Sequence, residues 1–147
     1  GTSFGALSPT AIHALNAGAS LGRFAHNTGE GSLSQYHQAG RGDLIWQIST
    51  GYFGCRDNRG NFDATLFQSK ALLPQVKMIE IKLSQGAKPG HGGMLLAGKV
   101  TAEIAEARGI PIGEDCISPA FHSMFSNPRE LLDFVELLRQ RSGGKPR

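Results

Sequence analysis

The chain has 147 residues, of which 39% are hydrophobic and 18% charged, and its formal net charge is +3. That length is enough for one domain with a core, and the mild, scattered charge argues against a nucleic-acid-binding protein. No stretch approaches the roughly 18 consecutive apolar residues of a membrane span, so we expect no membrane segment here.

The two cysteines, Cys55 and Cys116, are far apart and lack CxxC spacing. This pattern fits a reducing, cytoplasmic compartment and argues against a disulfide scaffold or a zinc site, so no metal ligands are predicted. The 20 glycines are about twice the usual share and predict many tight turns and close approaches of the backbone to ligands. Both ends of the chain look truncated.

In the first half of the chain, residues 2–7 are typical of a short strand end, and Ser8 with Pro9 predicts the start of a helix. The helix should bury one face and end near Gly22; the face consists of Ile12, Leu15 and Ala19. Two further strands are predicted at residues 24–25 and 44–48, separated by a glycine-rich turn and a polar loop.

The second half is predicted to contain a helix at residues 62–73, a strand at 76–83 and a helix at 102–108. An irregular crossing should occupy residues 110–125. A final helix should begin at Asn127, with Glu130 reaching back to its start, and end at Gly143. The predicted buried positions of these helices are Leu66, Phe67, Ala71, Leu131, Leu132, Val135 and Leu138.

The alternation of strands and helices predicts parallel strands joined by right-handed crossovers. Residues 3–8, 27–31, 47–54 and 84–93 each follow the carboxyl end of a predicted strand, and such ends share one face, where active sites form. Because a (β/α)₈ barrel needs about 250 residues, four strands predict either the first half of a barrel or a small open sheet.

The last of these segments is a strand that runs into a glycine loop. Residues 79–84 alternate apolar and polar side chains, and the loop after them is rich in glycine. Its polar tips are Gln85, Lys88 and His91. Composition alone allows two interpretations: a cradle for a bound anion, or a flexible solvated turn.

Four segments of this chain resemble the FMN-binding synthase domain of glutamate synthase. They are Ser3-Phe4-Gly5-Ala6-Leu7-Ser8, Asn27-Thr28-Gly29-Glu30-Gly31, Gly51-Tyr52-Phe53-Gly54 and Ile81-Lys82-Leu83-Ser84-Gln85-Gly86-Ala87-Lys88-Pro89-Gly90. The resemblance runs across nearly the whole chain, in order and with fitting spacing, and it is closest to the stand-alone glutamate synthase-related proteins.

The resemblance implies a partial (β/α)₈ TIM barrel in which residues 1–147 form the N-terminal half, with four βα units. It implies FMN at the carboxyl face and transfer of a hydride to 2-iminoglutarate, formed from 2-oxoglutarate and ammonia or glutamine-derived ammonia, to give L-glutamate. The iron–sulfur ligands of the family lie later in the domain. The implied partners are the remainder of the barrel and an electron donor subunit or ferredoxin.

The resemblance also implies roles for individual residues. The cofactor would contact the first strand end and polar side chains at the other three ends; these residues are Ser3, Phe4, Gly5, Ala6, Asn27, Gln47, Ser49, Lys82 and Gln85. Glu30 and Lys88 would be catalytic and bind 2-oxoglutarate, with His91 as a further substrate contact. For Lys82 a second interpretation is open, namely an ion pair with Glu80 inside the barrel.

Two positions depart from the family pattern. Met94 stands where the full enzymes have a glutamine that helps to bind 2-oxoglutarate, and Ser32 replaces a glycine. Met94 cannot make the hydrogen bonds of that glutamine. The departure at Met94 leaves open an FMN barrel oxidoreductase that acts on a different 2-oxo or 2-hydroxy acid. An inactive half-barrel is a further alternative, because half a barrel exposes two strand edges and much apolar surface.

Overall fold

A computed structural model describes residues 1–85, 88 and 90–147 of the chain. Its centre is a parallel sheet with the order β1-β2-β3, and a short antiparallel pair, β4 and β5, lies apart from it. The strands are β1 (His26–Asn27), β2 (Leu44–Ile48), β3 (Val76–Ile81), β4 (Met94–Leu95) and β5 (Cys116–Ile117). The α-helices are α1 (Pro9–Gly22), α2 (Gln35–Ala39), α3 (Ala64–Ala71), α4 (Ala102–Arg108) and α5 (Pro128–Ser142), and Ala97–Lys99 forms a 3₁₀ turn.

The predicted parallel arrangement of the strands is confirmed, and β2 has the predicted bounds. Three strands of this sheet are seen in the described part of the chain, so the expected four βα units are present only in part. Residues 2–7 are not a strand but a turn with an isolated bridge between Phe4 and Leu7. One backbone hydrogen bond, from Thr2 N to Asn27 O (3.2 Å), places this segment beside β1.

Two strand boundaries were predicted wrongly. The second predicted strand lies at His26–Asn27 instead of residues 24–25, and Phe24 is 62% exposed. The predicted strand 76–83 ends at Ile81. Its last ladder bond runs from Lys82 N to Ile48 O (2.8 Å), and β2 ends there, so no partner backbone remains to extend the pairing.

Helix α1 begins as predicted, with Ser8 Oγ accepting a hydrogen bond from Ala11 N. Its end differs from the prediction, because the left-handed residue is Arg23 (φ 56°), not Gly22. Leu15 is 45% exposed, and Asn16 is fully buried beside the predicted face. Asn16 is tolerated there because its Oδ1 accepts from Gly42 N at 2.9 Å.

The remaining long helices start and stop at capping residues. Helix α3 is shorter than predicted because the Asp63 carboxylate accepts from the amides of the first turn. Helix α4 has the predicted bounds, and α5 has its predicted caps, with Glu130 accepting from Ser126 N (2.7 Å). Of the predicted apolar positions, Leu66 and Leu132 are exposed, while Phe67, Ala71 and Leu138 are buried.

The buried side chains form two clusters. One lies between the sheet, α3 and α5, and Trp46 stacks on Phe67 there with 5.6 Å between ring centroids. The other joins Phe4 and Ile12 to α4 and to β4–β5. Cys55 and Cys116 are buried free thiols, one in each cluster. None of the described helices combines the length and apolarity needed to cross a bilayer.

Candidate functional site

The carboxyl ends of β1, β2 and β3 lie at one edge of the sheet because the strands are parallel and adjacent. The register pairs Ile48 with Ile81, so Ser49 and Lys82 follow side by side at this edge. The turn after β1 adds Glu30. Gly29 (φ 64°) allows this turn, which Asn27 Oδ1 fixes by accepting from Gly29 N at 2.9 Å.

Three of the predicted site residues form a closed hydrogen-bonded triad at this edge. Glu30 Oε2 accepts from Lys82 Nζ at 3.1 Å and from Gln85 Nε2 at 2.6 Å. Lys82 Nζ also donates to Gln85 Oε1 at 2.9 Å. The Lys82 and Glu30 side chains are 27% and 18% exposed, so the pair is shielded from solvent without being sealed off. The arrangement fixes the Glu30 carboxylate in one orientation.

The interpretation that paired Lys82 with Glu80 is wrong. Both side chains alternate onto the same face of β3, but Glu80 is the register partner of Gln47 on β2. Gln47 Nε2 donates to Glu80 Oε1, so the Glu80 carboxylate is engaged across the strands. Lys82, at the strand end, is left to meet Glu30 instead.

Two glycines make close contacts that a side chain would block, and one of them, Gly93, lies against the triad. A Cβ atom on Gly93 would collide with Glu30 Oε1, and one on Gly92 would collide with the carbonyl of Ser118. Ser118 N donates to Gly93 O at 2.8 Å, which holds this segment in place. The glycine-rich composition of the loop thus has a steric cause at these two positions.

A buried chain of hydrogen bonds holds the backbone of Lys82. The His122 ring bonds to Lys82 O through Nε2 (2.9 Å) and to Tyr52 Oη through Nδ1 (3.0 Å), and Met124 N donates to Tyr52 Oη (3.2 Å). A carbonyl can only accept, so Nε2 carries the proton and Nδ1 accepts from Tyr52. Burial lowers the pKa of His122, in keeping with this neutral tautomer.

A narrow cleft lies beside the triad, and in this structure it leaves no room for a group the size of a water molecule. Its lining includes Ser49, Lys82, Gln85 and His91. Ser49 Oγ is buried and has no hydrogen-bond partner in the described part of the chain. A buried hydroxyl without a partner is costly and marks a place where a bound group can donate or accept.

The first strand end contributes less directly. Ser3 packs against the glycines on both sides of Glu30. The amides of Gly5 and Ala6 donate within the turn itself, to Leu7 O and Ser3 O. The Phe4 side chain is buried in the second cluster, and Phe4 O accepts from Arg108 Nη2 at 3.2 Å. The predicted contact of residues 3–6 with a flavin stays a prediction.

The glycine loop is described only in part, since Gly86, Ala87 and Pro89 lie outside the described residues. Lys88 and His91 are both exposed, and their amides donate to Gln85 O and Lys88 O. Neither side chain belongs to the triad. Their predicted substrate contacts, and the choice between an anion cradle and a plain turn, stay predictions.

Sequence reasoning missed His122, Tyr52 and Arg108. His122 lies in the stretch predicted to be irregular, and Arg108 was one residue of a helical pattern. The sequence offered only a weak indication of Tyr52, which lies in the segment Gly51-Tyr52-Phe53-Gly54 with a glycine at each end. Tyr52 adopts a left-handed conformation (φ 47°) that is rare for an aromatic residue. All three act through contacts 40 or more positions away in the sequence.

Comparison with known proteins gives a match across nearly the whole chain. The family model described as "Conserved region in glutamate synthase" matches residues 1–146. The glutamate synthase large subunit-like protein YerD of Bacillus subtilis is 44% identical over 145 residues, which cover 98% of this chain and 27% of that protein.

Two further relatives give similar coverage. The archaeal glutamate synthase [NADPH] of Methanocaldococcus jannaschii is 37% identical over 144 residues (97% of this chain, 26% of that protein). The archaeal-type glutamate synthase [NADPH] of Thermotoga maritima is 35% identical over 139 residues (94% and 25%). The chain therefore spans about a quarter of the length of the curated relatives it matches.

Proposed function

The chain belongs to the family defined by the conserved region of glutamate synthase, and from this premise we propose that it supplies one edge of an FMN-dependent site that makes L-glutamate. The observation that carries the proposal is the triad of Glu30, Lys82 and Gln85 at the carboxyl edge of the parallel strands. This is the edge at which ligands bind in parallel α/β folds.

The polar residues at the strand ends suit a flavin in their chemistry. Ser49 Oγ lacks a partner, and Gln47 uses Nε2 on Glu80, which leaves its Oε1 without a hydrogen bond in the described contacts. These two groups would hold the polar edge of the ring, and the Lys82 ammonium would stabilise negative charge there. Reduced FMN would supply the hydride that converts 2-iminoglutarate, formed from 2-oxoglutarate and ammonia, into L-glutamate.

Glu30 is proposed to act on the nitrogen of the substrate. Its Oε2 is committed to Lys82 and Gln85, while its Oε1 lies against Gly93 and carries no side-chain hydrogen bond in the described contacts. A carboxylate held in this way can accept a hydrogen bond from ammonia or an iminium group, or relay a proton to it. Lys82 and Gln85 then act by orienting Glu30.

The carboxylate groups of 2-oxoglutarate are proposed to meet Lys88, with His91 beside it. Lys88 is exposed next to the cleft wall formed by Gln85 and His91, and a flexible ammonium suits capture of a carboxylate. The remainder of the barrel would complete the site and carry the iron–sulfur cluster. Electrons would arrive from a donor subunit or ferredoxin, and ammonia either free or derived from glutamine.

One observation favours a second candidate, a different 2-oxo or 2-hydroxy acid as substrate. Met94 is 65% exposed and follows Gly93, the residue packed against Glu30. An exposed thioether at this point offers no strong hydrogen bond to a second carboxylate and would tolerate an apolar substrate tail. The two candidate substrates therefore differ at the end away from the reacting carbon, where 2-oxoglutarate carries a second carboxylate and the alternative acid carries an apolar tail.

The test uses the protein at its natural full length. Flavin bands should appear in its absorption spectrum, and the reduced protein should be reoxidised by 2-oxoglutarate with ammonium. Glu30→Gln should slow reoxidation by about 100-fold or more without changing flavin content, while Glu136→Gln, at an exposed position on α5, should have no effect.

Four outcomes would contradict the proposal in different ways. A folded protein without flavin bands would refute the cofactor. Reoxidation by another 2-oxo acid, but not by 2-oxoglutarate, would favour the second candidate. Equal rates for Glu30→Gln and the unmodified protein would remove Glu30 from the site. A flavoprotein that no 2-oxo acid reoxidises and no 2-hydroxy acid reduces would point to an inactive scaffold.

A further inference from the structure

A larger cavity lies between α2, α3 and α4. Its volume is about 260 Å³, just below the range of about 300–1,000 Å³ usual for the pockets of drug-sized ligands, so it suits a smaller molecule. The lining residues are Phe4, Leu33, Ser34, Gln35, Gln38, Lys70, Glu103, Glu106 and Ala107. None of the residues of the strand-end triad is among them, so this is a separate cavity.

The cavity has a positive side formed by Lys70 on α3. Lys70 is partly buried, and Nζ donates to Ser32 Oγ at 3.3 Å. In the described part of the chain the two ion pairs are Lys77–Asp43 and Lys82–Glu30, so Lys70 belongs to neither. Burial lowers the pKa of Lys70, and the nearby Cys55 and Glu106 offset part of that effect. A partly desolvated ammonium that makes no direct ion pair among the described residues favours an incoming carboxylate.

The cavity has a negative side formed by Glu103 and Glu106 on α4. They are three positions apart, so both point from one face of the helix. Glu103 Oε1 accepts from Gln35 Nε2 at 2.8 Å and from Tyr36 Oη at 2.6 Å, which fixes the side chain. Its Oε2 has no hydrogen bond among the described contacts and is free to accept from an ammonium group.

These opposite charges define the ligand. We propose that the cavity binds a free α-amino acid, with the α-carboxylate on Lys70 and the α-ammonium on Glu103 and Glu106. A simple anion would be repelled by the two glutamates, and a simple cation would be repelled by Lys70. Only a ligand with both charges satisfies both sides of the cavity.

The lining also indicates the class of side chain. Gln38 places an amide in the wall, and its Nε2 makes only a long hydrogen bond, to Ser34 O at 3.5 Å, whereas the buried Ser34 hydroxyl is already bonded to His37. Polar groups of this kind recognise a polar side chain, and the apolar contribution of Leu33 and Phe4 covers its methylenes. L-glutamine, with an amide at the end of two methylenes, is a suitable probe.

The experiment is calorimetric titration of the full-length protein with L-glutamine and two analogues. Glutaramate lacks the ammonium group, and L-glutamine amide lacks the carboxylate. Both analogues should bind about tenfold or more weakly than L-glutamine, since each loses a charge-assisted contact. Equal binding of either analogue would show a plain anion or cation site and overturn the proposal, as would the absence of saturable L-glutamine binding.

Variants locate the binding to this cavity. Lys70→Met should weaken L-glutamine binding about tenfold or more, while Lys99→Met, an exposed lysine in the 3₁₀ turn, should not change it. Because Lys70 is partly buried, a second variant guards against misfolding: Glu103→Gln combined with Glu106→Gln changes two exposed side chains and should weaken binding by a similar factor. Unchanged affinity in either variant would overturn the proposal.

The outcome is independent of the flavin site. Glu30→Gln should leave L-glutamine affinity unchanged. Loss of binding in Glu30→Gln but not in Lys70→Met would place the ligand at the strand ends and refute the cavity site. A protein without flavin could still bind the amino acid, so failure of the proposed function and failure of this inference are distinguishable.

Discussion

Lys82 and Glu30 are 52 positions apart in the sequence, yet Lys82 Nζ lies 3.1 Å from Glu30 Oε2. They meet because β2 lies between β1 and β3, so the residues after β1 and after β3 converge on one edge. This pair is the most direct test of the site, because the chain also contains an exposed ion pair for comparison.

The first prediction concerns Lys82→Met. The change leaves the Glu30 carboxylate partly buried with one hydrogen-bonding partner fewer, so the free energy of unfolding should fall by about 1–3 kcal/mol. Lys77→Met is the control, since the side chains of Lys77 and Asp43 are 55% and 56% exposed and their atoms are 3.8 Å apart. It should change stability by less than about 0.5 kcal/mol. Urea unfolding measures both, and equal effects would contradict a structural role for the triad.

The second prediction concerns Gly93→Ala. The added methyl group would collide with Glu30 Oε1 and must displace the carboxylate or the backbone, so flavin reoxidation by the substrate should slow at least about tenfold. Gly98→Ala is the control, because nothing lies within 4 Å of its added Cβ. A fully active Gly93→Ala protein would show that the position of Glu30 is not important for turnover.

The third prediction concerns Tyr52→Phe. This change removes the hydroxyl that accepts from Met124 N and donates to His122 Nδ1, leaving buried polar atoms without partners. Unfolding free energy should fall by about 1–3 kcal/mol. Tyr36→Phe removes an exposed hydroxyl bound to Glu103 and should cost less than about 1 kcal/mol. The reverse ranking in thermal unfolding would contradict the proposed hydrogen-bond chain.

The fourth prediction concerns pH and His37. Burial lowers the pKa of His37 to about 4, below its ordinary value of 6.5. His37 Nδ1 accepts a hydrogen bond from Ser34 N, and His37 Nε2 donates one to Thr2 O. Only the neutral ring can make both bonds, so the folded state favours the neutral form of His37. The unfolded chain takes up the proton first. The free energy of unfolding should therefore be constant above about pH 7 and should decrease as the pH falls from about 6.5 to about 4. His37 should contribute at most about 3 kcal/mol to this decrease.

The measurement is urea unfolding at a series of pH values. His37→Gln should make the decline shallower. It should not abolish it, because burial also lowers the pKa of His26 and His122. His13→Gln, at an exposed position on α1, should leave the slope unchanged. An unchanged slope in His37→Gln would mean that this ring does not titrate with folding.

Local chemistry explains which elements were predictable. Helix α4 was predicted to the residue because Thr101 and Gly109 cap it, and β2 because five apolar-rich residues lie between turns. The missed pair β4–β5 has two residues in each strand, too few for any periodicity to be recognised. Residues 2–7 were misassigned because strand-like composition does not reveal that their amides bond within a turn.

The candidate site was predictable in its membership but not in its pairing. Parallel strand ends place Glu30, Lys82 and Gln85 together, and the sequence predicts that much. The choice of Glu30 over Glu80 as the partner of Lys82 depends on register, because Gln47 lies opposite Glu80. His122 could not be found from sequence, since a single histidine in an irregular stretch has no local pattern.

The strand order has a consequence for how the chain folds during translation. Because β1, β2 and β3 follow one another in the sheet as in the chain, each can pair with its predecessor soon after leaving the ribosome. The His122 ring that holds Lys82 O is translated 40 residues later. At a translation rate of about 5–20 residues per second, His122 is added about 2–8 s after Lys82. The sheet of the nascent chain can therefore form before the site is complete. The triad then assembles while the backbone of Lys82 still lacks its hydrogen bond from His122.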